Sequence, residues 1–167
     1  MKSCSLRVVI IALGVAVVAL NASAVQAAQW GFTVYKQNMA MDPSSGDTIR
    51  VTGAGLFNDT TEAVSGHGAY SVSNAAGQVI DRGTWVATEF VDFAPAGGLN
   101  RGAQGGVLDI SVTLIPNGGS PVAGVPMRVI CPFDPATGFD EANDATLVGP
   151  FTEKIGDGDT VFRLIQP

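Results

Sequence analysis

The chain has 167 residues, 46% hydrophobic and 14% charged, with 21 glycines, 9 prolines and a net charge of −6. That composition excludes an intrinsically disordered chain, which needs few apolar and many charged residues, and the absence of Ala/Glu/Lys/Leu/Arg heptads excludes a coiled coil. The acidic balance sets aside nucleic acid and anionic lipid surfaces, which repel a protein of that sign.

In chain order, Lys2 and Arg7 precede an uninterrupted apolar run from Val8 to Leu20, and small residues then lead to Val25-Gln26-Ala27. This is the layout of a secretory signal peptide cut after Ala27, with Ala24 as the second choice. The 13-residue apolar run is short for a membrane span. No cysteine follows the cut and no arginine pair precedes the run, which favours the general export route. The expectation is a leader over 1–27 and one domain over 28–167, exported to the periplasm or the extracellular space without stable membrane insertion. Removing the leader leaves seven basic against 15 acidic residues, a net charge of −8. Cys4 leaves with it, so Cys131 stands alone and no intramolecular disulfide forms. Cys131 closes the apolar run Val129-Ile130-Cys131 and reads as a buried, inert thiol.

Beyond Ala28 no apolar repeat of helical period is sustained. Short β-branched stretches alternate with Gly/Pro/Asn/Asp clusters, the pattern of an all-β domain. Strands are expected over 30–35, 48–57, 63–73, 79–90, 106–115, 125–131, 146–154 and 160–165. Turns fall at Asp42-Pro43-Ser44-Ser45-Gly46-Asp47, Asn58-Asp59-Thr60-Thr61, Asn74-Ala75-Ala76-Gly77, Asn117-Gly118-Gly119-Ser120-Pro121 and Asp157-Gly158-Asp159. The clearest alternation puts Leu108, Ile110, Val112 and Leu114 on one face and Asp109, Ser111 and Thr113 on the other. Glycines interrupt three successive strands, at Gly53 and Gly55, Gly66 and Gly68, and Gly83. Glycine weakens a strand, so these positions call for sharp coiling or the close approach of a ring such as Tyr70 or Trp85. Eight antiparallel strands with short turns fit a single closed barrel, with a β-sandwich as the alternative. An outer-membrane barrel needs longer lipid-facing rows and aromatic girdles than a chain with 7% aromatic residues supplies.

The segments Gly53-Ala54-Gly55, Gly66-His67-Gly68, Arg82-Gly83-Thr84-Trp85, Gly105-Gly106-Val107-Leu108, Cys131 and Gly158-Asp159-Thr160-Val161-Phe162 resemble those of small exported bacterial proteins with a glycine-punctuated β core and no established activity. The overall plan is similar to eight-stranded barrels of the lipocalin, dirigent and allene oxide cyclase kinds. The resemblance implies a β shell and assigns no catalytic residue.

Catalytic motifs are lacking. There is no Gly-x-Ser-x-Gly, and the single histidine, His67, falls on the face opposite Tyr70 and Val72 and so faces solvent if those two face inward. One histidine and one cysteine show no zinc spacing. Asp134, Asp140, Glu141, Asn143 and Asp144 form an oxygen-rich loop that reads as solvated, with calcium as the alternative. Asp81, Arg82, Glu89 and Asp92 read as strand-surface charges. Asn58-Asp59-Thr60 fits the glycosylation acceptor pattern.

Three functions follow, in this order. The first is an exported binding module holding a small apolar ligand in the barrel, with Tyr70, Trp85 and Phe90 as the candidate ligand-binding residues. The second is a structural or interaction protein of the envelope or extracellular space, using the segments 93–103 and 131–143 as contact loops. The third is a barrel isomerase or cyclase. No cofactor and no metal is expected, and the partner is an apolar ligand or an envelope protein.

Overall fold

The computed structural model describes residues 28–36, 38–100, 102–134, 138–139, 144–156 and 158–166. The leader over 1–27 lies outside them. Among the described residues every regular element is a strand: β1 (Gln29–Lys36), β2 (Met39–Met41), β3 (Thr48–Asn58), β4 (Ala63–Ser73), β5 (Val79–Asn100), β6 (Ala103–Pro116), β7 (Val122–Cys131), β8 (Phe133–Asp134), β9 (Gly138–Phe139), β10 (Ala145–Val148), β11 (Glu153–Lys154) and β12 (Gly158–Gln166). Ten form one antiparallel sheet, and β8 and β9 pair separately. The expected all-β antiparallel class holds.

The expected segmentation holds in outline, but β2 is additional, β8 and β9 lie within the expected contact loop 131–143, β12 starts at Gly158 inside the expected turn, and two further stretches differ. The stretch 146–154 divides into β10 and β11, because Gly149 takes a φ of +54° and the chain turns, with Val148 bridging Phe151. The stretch 93–103, expected as a contact loop, instead forms the far end of the β5–β6 hairpin. Phe93 and Ala103 are buried there, and the buried Gln104 side chain donates to the carbonyls of Ala96 and Gly97 at 2.8 and 3.1 Å. Those bonds satisfy backbone acceptors that a free loop would leave to water.

The ladders make a circuit. β1 pairs β12 through Thr33↔Val161 on one side and β3 through Thr33↔Ala54 on the other. From β12 the pairing runs to β6, β5, β4 and β3, and so back to β1. β7 and β10 extend the sheet from β6, and β2 and β11 extend it from β3.

Side chains alternate as the period of two requires. Leu108, Ile110 and Val112 are buried, while Asp109, Ser111 and Thr113 are only half-buried. Fully burying a large apolar side chain stabilises by roughly 1.5–3 kcal/mol, so the β6 row alone contributes several of the roughly 5–15 kcal/mol that hold a domain together.

Candidate functional site

The inner face is organised by glycines and rings. Register aligns Trp85, Gly68 and Gly53 in one row, and Phe32, Gly55 and Gly66 in the next. A Cβ on Gly68 would lie 2.5 Å from Trp85 Nε1, and one on Gly53 would collide with the same indole. A Cβ on Gly66 would lie 3.1 Å from Phe32 Cζ, and one on Gly55 would collide with that ring. Four side-chain-free positions on β3 and β4 thus make a slot for two rings from opposite directions. Trp85 and Phe32 stack there with centroids 6.5 Å apart and an interplanar angle of 22°. The Trp85 indole N–H donates to the Thr52 carbonyl at 3.0 Å, so a fully buried polar tip is satisfied.

Tyr70 is buried beside this slot, and its hydroxyl donates to Asp81 Oδ2 at 3.0 Å. Burial, and then the Asp81 carboxylate, push the phenol up to about 12. Phe90 lies in a different cluster. It stacks on Phe57 at 6.0 Å, and Phe57 in turn meets Trp30, Phe93 and Phe162. The structure therefore places Trp85 and Tyr70 together and sets Phe90 apart, at the aromatic end. In that end the Trp30 indole N–H is buried with no acceptor among the described residues.

A polar seam crosses the interior on the other side. Asn38 Nδ2 donates to the Tyr35 carbonyl at 2.8 Å, and Thr146 Oγ1 donates to Asn38 Oδ1 at 3.3 Å. The Thr160 amide donates to Asp144 Oδ2 at 2.6 Å, and its hydroxyl donates to the Ile130 carbonyl at 2.7 Å. Cys131 Sγ donates to the Thr160 carbonyl at 3.2 Å and is fully buried. Burial and the nearby Asp144 push its thiol up to about 12, the reverse of what a nucleophilic cysteine needs. Asp144, expected in a solvated loop, is buried. Asp140, Glu141 and Asn143 lie outside the described residues. No group of three His, Cys, Asp or Glu among the described residues could hold a metal ion.

His67 is exposed on the outer face, as its position opposite Tyr70 required. Glu89 is also exposed, accepting from the Ser111 hydroxyl at 3.3 Å, and Asp109 holds Arg128 through two bonds of 2.7 and 2.8 Å. The outer surface carries open hollows. One of about 430 Å³ lies between Val79, Ile80, Asp81 and Arg82 on one side and Pro116 and Asn117 on the other. A second, of about 300 Å³, is lined by Val91, Ile110, Met127, Arg128 and Leu147. A third, of about 180 Å³, lies against Gln29, Leu56, Asn58 and Val64. Tyr70, Trp85 and Phe90 line none of these three. Sequence reasoning passed over the row Arg50–Ser71–Arg82 on the outer face of β3, β4 and β5, because the three residues meet only through register. No protein-family model matches the chain, and neither does any curated protein or solved structure.

Proposed function

We propose that the chain is an exported, non-enzymatic β protein, a small closed barrel that serves the periplasm or the extracellular space as a rigid platform contacted from outside. The observation that carries this reading is the close packing of rings against glycines on the inner face. Trp85 and Phe32 occupy the slot left by Gly53, Gly55, Gly66 and Gly68, and Leu108, Ile110, Val112 and Met127 are buried with them. Such an interior spends its aromatic surface on its own stability. The circuit of ladders through β1 supports closure into a barrel, and the leader pattern supports export.

The test uses protein recovered from the exported fraction of an expressing cell. Its intact mass is expected to match a chain starting at Ala28, and native mass spectrometry is expected to find no bound small molecule. A chain retained in the cytoplasm at full length would overturn export, and a stoichiometric apolar ligand would overturn the platform reading.

A second reading keeps the apolar ligand, at the aromatic end with Phe90 and apart from Tyr70 and Trp85. Its specific support is the Trp30 N–H, buried without an acceptor among the described residues in the cluster where Trp30 and the half-buried Phe90 each stack on Phe57. A ligand with one acceptor oxygen would satisfy that donor. Titration with an apolar fluorescent probe separates the two readings: saturable binding abolished by Phe90→Ala favours the ligand, and no binding favours the platform.

A further inference from the structure

Arg50, Ser71 and Arg82 lie directly across from one another on β3, β4 and β5, through the pairs Arg50↔Ser71 and Ser71↔Arg82. Residues opposite each other in an antiparallel ladder share a face, and at about 4.8 Å per strand the two arginine backbones stand roughly 10 Å apart. Both arginines are exposed and Ser71 between them is half-buried. The Arg50 guanidinium extends toward β2, and rotation about its long stem carries it across to the Ser71 hydroxyl, which Arg82 flanks from the other side. Neither is ion-paired among the described residues: the one side-chain bond at Arg50 is a weak contact of Nη2 with Met39 Sδ at 3.7 Å. The nearest carboxylate in sequence, Asp81, is committed elsewhere. Its Oδ2 accepts from Tyr70 and its Oδ1 accepts from the Arg82 backbone amide at 2.7 Å.

This arrangement runs against the charge of the molecule. A chain with nine basic and 15 acidic residues places two of its cations in one row, on either side of a serine. An anion held between them accepts from both guanidinium forks and the serine hydroxyl. The net charge of −6 disfavours an extended anionic surface, whereas a small ion experiences chiefly the charges within a Debye length, about 8 Å at physiological salt. We propose that Arg50, Ser71 and Arg82 form a binding subsite for a small soluble divalent oxyanion, sulfate or hydrogen phosphate, on the outer face of β3–β5. The subsite does not depend on export or on the packing of the inner face.

The test is a titration of the isotope-labelled protein with sodium sulfate and with sodium phosphate, each at constant ionic strength against sodium chloride, followed by the arginine Nε–H and backbone amide resonances. Saturable shifts are expected at Arg50, Ser71 and Arg82, with no comparable change at Arg128 or Arg163. Arg50→Gln and Arg82→Gln, both at exposed positions, are each expected to weaken binding about tenfold, while Arg163→Gln leaves it unchanged. Linear shifts spread over all arginines, or shifts equal to those in chloride, would overturn the proposal. So would unchanged affinity in the Arg50→Gln/Arg82→Gln double variant.

Discussion

At the scale of single residues, the positions that matter most are those where backbone meets ring. Gly68 has Trp85 Nε1 on one side and the Thr52 carbonyl on the other. Gly68→Ala therefore forces a shift of main chain, not of a flexible side-chain end, and is expected to cost about 1–3 kcal/mol, measured as a lower midpoint in urea. Trp85→Ala empties the slot and is expected to cost about 3–5 kcal/mol. The sequence already offered ring approach as a reason for these glycines, since glycine inside a strand carries a cost. It left open which ring, because residues far apart in the chain meet only through register; for Gly83 the nearest atoms belong to the backbone of β6. Two buried protons give a pH signature. The Cys131 thiol, ordinarily 9.0, and the Tyr70 phenol, ordinarily 10.0, are each raised to about 12. Above their ordinary values the unfolded chain releases these protons while the folded chain keeps them, so stability is full below about pH 9 and falls as pH rises toward 12. Melting temperature measured from pH 7 to 11 is expected to fall from pH 9 upward, and Tyr70→Phe is expected to flatten the part above pH 10.

At the scale of elements, β5 and β6 show what periodicity reveals and where it stops. The β6 row was legible because no irregularity breaks its alternation from Leu108 to Val112. On β5 the register steps between Ala87 and Glu89 and again between Phe90 and Asp92. Each step inserts one extra residue, Thr88 and then Val91, and so reverses which residues face inward. Trp85, Phe90 and Phe93 all meet the core although a strict period of two would place Phe90 outside. Nothing in the composition of Thr88-Glu89 announces a bulge, so the strand reads as regular. Deleting Thr88 would remove the extra residue and leave Ala87 inward, Glu89 outward and Phe90 inward, in the pairs they already hold. That variant is expected to keep cooperative unfolding by circular dichroism, as is Thr88→Ser, and loss of cooperative unfolding on deleting Thr88 would contradict a bulge at that residue.

At the scale of the whole molecule, the ladders run from β1 through β12, β6, β5, β4 and β3 back to β1, and Trp85 and Phe32 are packed on the inner face. Turn residues and alternation made the strands legible. The order of pairing was not, because β1 and β12 stand at opposite ends of the domain and nothing local says that β1 also meets β3. The outer arginine row was hidden for the same reason. The most direct test is a nuclear Overhauser spectrum of the processed protein. It is expected to link Thr33 across strands to both Ala54 and Val161, and the Trp85 indole to the α-protons of Gly53 and Gly68. Thr33 contacts to only one neighbouring strand, or an indole without glycine contacts, would contradict a closed circuit with rings packed on its inner face.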